Sequence, residues 1–384
     1  MSTDDTLAAA LAAAGLSDTQ PGRTVAGGAL VVPEPADEEP APAPARWPDG
    51  AATGVGSMPG TDPGEAAAVV VGELPLLPAL PELPARGVGA DLIGRTAALL
   101  VDIHTEVWPS GYRVAARPGR DDRRGRDLLQ FDVDAFEAAC DSARPGWVKV
   151  QAAGPWTLAA GVELHTGNRV LTDRGAVREF AASLTEGLRA HVSEVAARTG
   201  AAVLLQLDEP SLPAVLDGRL PTASGFGTVS AVPEPDVADL LRVLIGSVGV
   251  PVAVHCCAPR PPVRLLAGIG AAAVGLDATR PEIAGRSAQP AQLDALGEVW
   301  DAGTPLLLGL VPTRAPGRPV TYRDPARTAF DLADRLGFDR ARLPALAVPT
   351  PTCGLAGADP AWARRALTLC RELAQAFVDP PDSV

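Results

Sequence analysis

The chain has 384 residues, enough for one large or two ordinary domains, and 47% of them are apolar. Its formal net charge of −13 argues against non-specific nucleic-acid binding, which needs a basic face. No apolar run approaches the roughly 18 residues of a membrane span, and the N-terminus lacks the basic region of a signal peptide. We therefore expect a cytoplasmic protein with neither a nucleic-acid nor a membrane partner.

The N-terminal segment differs in composition from the rest of the chain. Residues 1–50 carry eight acids against two arginines, and from Pro33 to Pro48 prolines alternate with alanines and acids. Such a composition cannot bury a core and favours extended conformations. The sequence predicts a disordered tail over residues 1–48 and a catalytic domain over residues 49–384.

After the tail, short β-prone runs alternate with helical patterns. Helices are indicated by Asp-Pro start signals and by one apolar stripe over residues 173–199. Eight runs predict strands, most of them continuously apolar as buried parallel strands are: Thr53–Met58, Ala79–Leu83, Val148–Ala152, Ala202–Leu207, Val250–His255, Ala272–Leu276, Pro305–Leu310 and Leu343–Val348. This alternation predicts an α/β protein with a (β/α)8 TIM barrel. An open doubly wound sheet is the competing architecture, but no glycine-rich nucleotide motif follows a strand.

Thiols and an imidazole follow three of the predicted strands. The fifth ends in His255-Cys256-Cys257, where His255 and Cys257 point to the same side, and the eighth leads to Cys353. The sixth ends in Asp277. A histidine, two cysteines and an acid or water are typical of catalytic zinc, so these residues predict a Zn²⁺ site. Taken singly, a buried cysteine is more often a small apolar residue.

Other polar or glycine-rich segments end the remaining strands. The fourth ends in Asp208-Glu209, two acids that suit acid–base chemistry or the binding of an ammonium group; helix capping is the alternative. The first ends in Gly56-Ser57, where free backbone N–H groups suit a carboxylate, or simply a tight turn. Trp156 follows the third and offers a stacking face or a core side chain. The only lysine, Lys149, is interpreted as a consequence of the bias towards arginine.

These segments, in this order, resemble the catalytic barrel of cobalamin-independent methionine synthase. The similar segments are Gln-Leu-Asp-Glu-Pro-Ser-Leu on the fourth strand, His-Cys-Cys on the fifth, Thr-Cys-Gly-Leu after the eighth and Gly-Val-Gly-Ser-Met-Pro on the first. The resemblance spans residues 50–380 and implies a zinc-bound homocysteine thiolate that attacks a methyl group. It also implies roles for single residues: His255, Cys257, Cys353 and, in place of the family's glutamate, Asp277 as zinc ligands; Asp208 for the substrate amino group; and Gly56 and Ser57 for its carboxylate.

Two departures concern the methyl donor. The family's histidine after the seventh strand is absent, because the segment here reads Gly309-Leu310-Val311-Pro312-Thr313-Arg314. The tryptophan that stacks on folate in the family follows its Gly-Pro by several residues, whereas Trp156 comes directly after Pro155. We predict that the thiol substrate is kept, while methyltetrahydrofolate and a methylated corrinoid both stay open as donors.

The leading hypothesis is therefore a zinc-dependent methyltransferase acting on homocysteine or a related thiol. Two alternatives remain open. One is a metal-free barrel enzyme of the uroporphyrinogen decarboxylase type, from the same superfamily. The other is a zinc- or thiol-binding barrel without catalysis, in which the missing histidine marks the loss of activity.

Overall fold

The structure, a computed structural model, describes residues 46–285 and 288–379. The predicted tail lies outside the described residues, except for its last three. No helix within the described ranges is long and apolar enough to cross a membrane.

The main sheet is parallel and has six strands. Its order is β3-β5-β6-β7-β8-β9, and each strand pairs in parallel register with the next. A second, small sheet combines a hairpin with a two-residue strand in the order β1-β2-β4. The strands are β1 His104–Trp108, β2 Gly111–Ala115, β3 Trp147–Ala153, β4 Val162–Glu163, β5 Ala202–Asp208, β6 Val252–His255, β7 Ala273–Asp277, β8 Leu306–Val311 and β9 Ala347–Pro351.

Two extended segments join the edges of the six-stranded sheet. The amide of Thr53 donates to the carbonyl of Pro349 on β9 at 3.2 Å, and the amide of Leu80 donates to Lys149 on β3 at 2.8 Å. Between them, Met58 donates to the carbonyl of Glu82 at 2.8 Å. These bonds place the first two predicted strands between β9 and β3. The predicted TIM-barrel fold is confirmed.

Helices cover the outside of the barrel. The longest connects β4 to β5; it begins after Asp173, whose carboxylate caps two amides, and ends at Gly200 in the left-handed conformation. The helices are α1 Pro63–Glu73, α2 Leu92–Ala97, α3 Arg120–Ala143, α4 Pro155–Gly161, α5 Arg174–Thr199, α6 Leu212–Leu216, α7 Glu234–Val248, α8 Val263–Gly268, α9 Pro290–Asp301, α10 Arg323–Leu336, α11 Leu343–Leu346 and α12 Pro360–Val378.

Two apolar clusters hold these layers together. Alternate strand residues such as Val148, Val150 and Leu205 face outward and pack with the helices in the larger cluster. The smaller one, here called the floor cluster, lies where the strands begin and consists of Trp47, Ala51, Leu77, Trp147, Leu204, Ala253, Ala273, Leu307 and Val348. Trp47, which the sequence assigns to the tail, is only 3% exposed and packs edge-on against Trp147.

Candidate functional site

The carboxyl ends of the strands bring two of the predicted thiols into contact. Cys257 follows β6 and Cys353 follows β9, and their Sγ atoms are 3.4 Å apart. Cys256, between His255 and Cys257, is instead fully buried, and burial raises the pKa of its thiol to about 12. The strand geometry therefore separates one inert thiol from two that meet at the mouth of the barrel.

The contact between the two thiols shifts the pKa of each in opposite directions. Their mutual hydrogen bond lowers the pKa of Cys353, and the neighbouring ring of His255 lowers it further. The same bond, with burial and the charge of Asp208, raises the pKa of Cys257. The pair therefore loses its first proton more readily than a single thiol does, and a thiolate is the form that binds a metal.

His255 is held by a carboxylate. Its Nδ1 lies 2.7 Å from Oδ1 of Asp208, the residue opposite it on β5. Gln206 donates to the same oxygen at 2.8 Å. The ring lies beside Gly275 on β7, where an added Cβ would stand 3.0 Å from Cδ2 of the ring. Asp208 and His255 are thus a fixed unit beside the thiol pair.

The predicted carboxylate-binding segment lies next to Cys353. The amide of Leu355 donates to the carbonyl of Ser57 at 2.8 Å. A Cβ on Gly354 would stand 2.0 Å from Oγ of Ser57. Gly56 is packed in the same way, because a Cβ there would lie 2.9 Å from Cγ of Gln151. The structure therefore brings Gly56 and Ser57 to the thiol site, with glycine required at both contacts.

Asp277 has other partners. Its Oδ1 accepts from both the amide and the hydroxyl of Thr279, at 3.0 and 2.6 Å, and its Oδ2 pairs with Arg280 at 3.3 Å. Arg280 in turn donates to the carbonyl of Cys257 at 3.2 Å. The geometry supports a role for Asp277 in shaping the loops beside the thiols, and coordination by Asp277 stays a prediction.

Glu209 is fully buried and caps α4. It accepts from the amides of Trp156 and Thr157, at 3.0 and 2.8 Å, and from the hydroxyl of Thr157 at 2.7 Å. Burial raises the pKa of this carboxyl to about 7. The alternative interpretation expected an aspartate that caps the helix after β5; instead Glu209 caps the helix after β3, and its predicted catalytic role has no support in these contacts.

Trp156 packs on the outside of the barrel wall. It is 4% exposed, and its indole N–H reaches the carbonyl of Val237 on α7 at 3.4 Å. Its ring lines a groove of about 750 Å³ between α5 and α7. A packing role is the one that this position supports, and substrate contact by Trp156 stays a prediction.

Several polar residues of the barrel interior were missed as site residues. Lys149 is completely buried and donates to the carbonyl of Val55 at 3.0 Å. The sequence analysis attributed this lysine to the bias towards arginine and did not predict its buried position. Glu82 is 6% exposed, and burial raises its pKa to about 7. The signal was present: Lys149 and Gln151 alternate with valines along one apolar strand, which indicates polar groups that face inward.

A complete metal site is not assembled by the described side chains. Within residues 46–285 and 288–379, no three His, Cys, Asp or Glu side chains are grouped so that they hold a metal ion. The structure does provide the contacting thiols of Cys257 and Cys353. His255 lies nearby, and its Nδ1 is already hydrogen-bonded to Asp208.

The comparisons with known proteins identify the family of the chain. A family model described as the catalytic domain of cobalamin-independent synthase matches residues 50–376. The chain belongs to this family. The resemblance inferred from the strand-end motifs is thereby confirmed over nearly the whole barrel. No curated protein matches the sequence.

Two solved structures share the fold. A B12-independent methionine synthase from Shewanella sp. W3-18-1, in complex with selenomethionine, is 12% identical with a TM-score of 0.53, covering 86% of this chain and 97% of that one. A methyltransferase from Methanosarcina mazei is 16% identical with a TM-score of 0.52, covering 86% and 94%. The family supports a methionine-synthase-like methyltransferase, and these two structures share its fold.

Proposed function

We propose that this protein transfers a methyl group to the sulfur of homocysteine or a related thiol, with Zn²⁺ bound by Cys257, Cys353 and His255. The observation that carries the proposal is the contact between two thiols from different strand ends, Sγ to Sγ at 3.4 Å. A structural role does not require two partly solvent-accessible cysteines to converge beside a carboxylate-bound histidine.

The proposed metal ligands suit zinc. Two thiolates on one tetrahedral zinc lie about 3.8 Å apart, given bonds of about 2.3 Å, so the pair needs to open by only a few tenths of an ångström. Soft sulfur ligands favour zinc over magnesium or calcium. Three protein ligands leave a fourth position for a substrate, as in catalytic zinc sites, which agrees with the other partners that Asp277 has.

The protein's own groups would orient the amino acid. Among the described residues, Oδ2 of Asp208 accepts no hydrogen bond, whereas Oδ1 accepts two. We assign Oδ2 to the substrate ammonium group. The backbone at Gly56 and Ser57, next to Cys353, would receive the substrate carboxylate. These contacts would aim the substrate thiol at the cysteine pair.

The reaction then follows from thiolate chemistry. Zinc would supply the charge that keeps the substrate thiol deprotonated near neutral pH. The substrate sulfur forms a bond to the methyl carbon, the bond from that carbon to its donor breaks, and the electron pair leaves with the donor. With methyltetrahydrofolate as donor, the released nitrogen takes up a proton; a methylcorrinoid leaves as the reduced corrinoid without one. The segment 309–314, which includes the end of β8 and the residues after it, offers no histidine for that protonation, which favours the corrinoid.

Metal content and methyl transfer test the proposal together. We expect about one zinc per wild-type chain after reconstitution and none in Cys257→Ala or Cys353→Ala. Cys256→Ala is the matched control, since its thiol is buried away from the pair, and it should keep the metal. The methylation of homocysteine should fall below detection in the first two variants and persist in the control.

Each outcome discriminates between functions. Zinc retained in both thiol variants, or absent from reconstituted wild type, would contradict the proposal and favour the metal-free alternative. Zinc bound as expected without methylation from either methyltetrahydrofolate or methylcobalamin would favour a binding protein. Full turnover with methyltetrahydrofolate alone would reject the corrinoid preference.

A further inference from the structure

His255 lies in a row of three residues that crosses neighbouring strands. Asp208 on β5 is opposite it on one side, and Gly275 on β7 is opposite it on the other. Residues opposite each other on neighbouring strands point to the same face of a sheet. The glycine therefore leaves one side of His255 without a neighbouring side chain.

The space beside Gly275 is occupied by His255. The three atoms nearest to an added Cβ on Gly275 all belong to this histidine: Cδ2 at 3.0 Å, Cβ at 3.1 Å and Cα at 3.3 Å. Carbon atoms in favourable contact are about 3.5–4.0 Å apart, so all three distances are too short. His255 is 6% exposed, which leaves its ring little room to move. A methyl group at position 275 would therefore press on His255 before it met any other residue.

The ring of His255 cannot turn away from Gly275 without disturbing its bond to the carboxylate. Nδ1 donates to Oδ1 of Asp208 at 2.7 Å, because a carboxylate has no hydrogen to donate. Nδ1 and Cδ2 lie on opposite sides of the Cβ–Cγ bond, so a rotation about this bond moves both atoms. A rotation that relieves the contact at Cδ2 also turns Nδ1 out of line with Asp208, and hydrogen bonds weaken steeply as their angle falls.

The same orientation decides where the second ring nitrogen lies. Nε2 is bonded to Cδ2 and is therefore on the β7 side of the ring, whereas Nδ1 is on the β5 side. Along the sheet, β7 lies between β6 and β9, the strand that leads to Cys353. In the neutral ring with its hydrogen on Nδ1, the lone pair is on Nε2. The lone pair is therefore on the side of the ring that faces towards Cys353 along the sheet.

We propose that Gly275 is a positioning residue: because it has no side chain, the ring of His255 can keep Nδ1 on Asp208 and Nε2 on the side of Cys353. The inference rests on the proposed function in one respect, that His255 is a metal ligand. The contact between Gly275 and His255 belongs to the protein alone, and its measurement needs neither metal nor substrate.

The test is ¹H and ¹⁵N NMR of the full-length, metal-free protein labelled at histidine and glycine. The chain has four histidines, and His255→Gln identifies the signals of His255. Wild type should show a hydrogen-bonded Nδ1 proton and cross-relaxation between Hδ2 of His255 and the α-protons of Gly275. In Gly275→Ala, the Nδ1 proton should exchange faster with water and its signal should weaken or disappear.

Gly161→Ala is the matched control. A Cβ there would lie 2.6 Å from Cδ1 of Ile93, so this change also crowds a packed neighbour. Gly161 ends α4, and the atoms near its added Cβ belong to Ile93 and not to His255. The control should leave the His255 signals unchanged. Zinc affinity gives a second readout, expected to fall about 10- to 100-fold in Gly275→Ala and to stay unchanged in Gly161→Ala.

Two results would overturn the inference: no cross-relaxation between His255 and Gly275 in wild type, or a Gly275→Ala Nδ1 signal identical to wild type. If Gly275→Ala does not fold, it must fold in combination with His255→Gly, because that change removes the two closest contact atoms; failure of this double variant would also overturn it. Failure of wild type to bind zinc, with the expected NMR result, would reject the proposed function and keep the positioning role.

Discussion

The two ends of the barrel interior are built from the same strands but from opposite kinds of residue. On β3 the inward positions run from Trp147 at the floor to Lys149 and Gln151, and on β5 they run from Leu204 to Gln206 and Asp208. At the floor, the side chains form an apolar cluster. Further along each strand, the inward side chains form a hydrogen-bonded polar network. This network is here called the mouth and consists of Lys149, Gln151, Gln206 and Asp208, with Glu82 beside it.

The difference shows that the two ends of the barrel interior are stabilised in different ways. The floor is stabilised by the burial of apolar area, which depends little on direction. The mouth buries charged groups, which contribute to stability only when every donor and acceptor is matched, but which hold a unique arrangement when they are. We therefore expect changes at the floor to alter stability, and changes at the mouth to alter chemistry or its dependence on pH.

The largest effect on stability is expected at the floor. Trp47→Ala removes a nearly fully buried indole and should lower the free energy of unfolding by about 3–5 kcal/mol. Denaturant titration measures this, and KM for the thiol should stay unchanged in the folded fraction. A large change in KM with little loss of stability would break the comparison between floor and mouth.

A pair of truncations serves as the control. Removal of residues 1–45 should leave the unfolding transition where it is, as the sequence predicts for a tail. Removal of residues 1–48 also deletes Trp47 and should lower the transition as much as Trp47→Ala does. Equal stability of the two truncations would show that Trp47 contributes little.

The second effect is a pH dependence that belongs to the mouth. Burial raises the pKa of Glu82 from 4.5 to about 7, so the folded chain binds this proton more tightly than the unfolded chain does. Its contribution to stability is therefore present below pH 4.5 and is lost as pH rises to 7. Burial lowers the pKa of Lys149 from 10.5 to about 8, so its contribution is gained as pH rises from 8 to 10.5.

Variants separate these two contributions. Glu82→Gln should remove a slope of up to about 1.4 kcal/mol per pH unit between pH 4.5 and 7, and Lys149→Met should remove the opposite slope above pH 8. Denaturant titrations across pH measure both. Trp47→Ala should lower the free energy of unfolding by the same amount at every pH. If all three variants showed the same pH dependence, the assignment of the two slopes to Glu82 and Lys149 would be wrong.

The smallest effect is expected at Gly56. An added Cβ would lie 2.9 Å from Cγ of Gln151, so Gly56→Ala should displace that side chain and cost about 1–3 kcal/mol. Because the backbone at Gly56 is proposed to receive the substrate carboxylate, KM for the thiol should rise as well. Gly72→Ala, in α1 with open space around its Cβ, is the control and should be neutral or slightly stabilising.

The sequence predicted the barrel and the residues at its strand ends because both depend on local pattern. Buried parallel strands read as apolar runs, and Asp62 and Asp359 cap their helices as their Asp-Pro signals indicate. The last strand was misplaced: residues 343–346 form α11, and β9 begins at Ala347. A short apolar run fits a strand and a buried helix equally well, and here Pro344 fits the first turn of a helix.

The site was predictable only in its list of residues. The motifs indicated His255, Cys257 and Cys353, but no local pattern shows that Glu209 faces α4 or that Asp277 turns to Thr279 and Arg280. These outcomes depend on which helix packs behind each strand. The alternation along β3 indicates only that Lys149 faces inward; it does not identify the partners of Lys149, which are 57 and 94 positions away in the chain.

The single lysine also allows the transient opening of the barrel to be measured. Because the only side-chain amine is sealed inside the barrel, an amine-reactive reagent can modify it only in molecules that have opened. The mass increase at Lys149 over time would therefore count opening events at the centre of the catalytic domain. No engineered label is needed, because the other basic side chains are arginines and histidines and no second side-chain amine competes for the reagent.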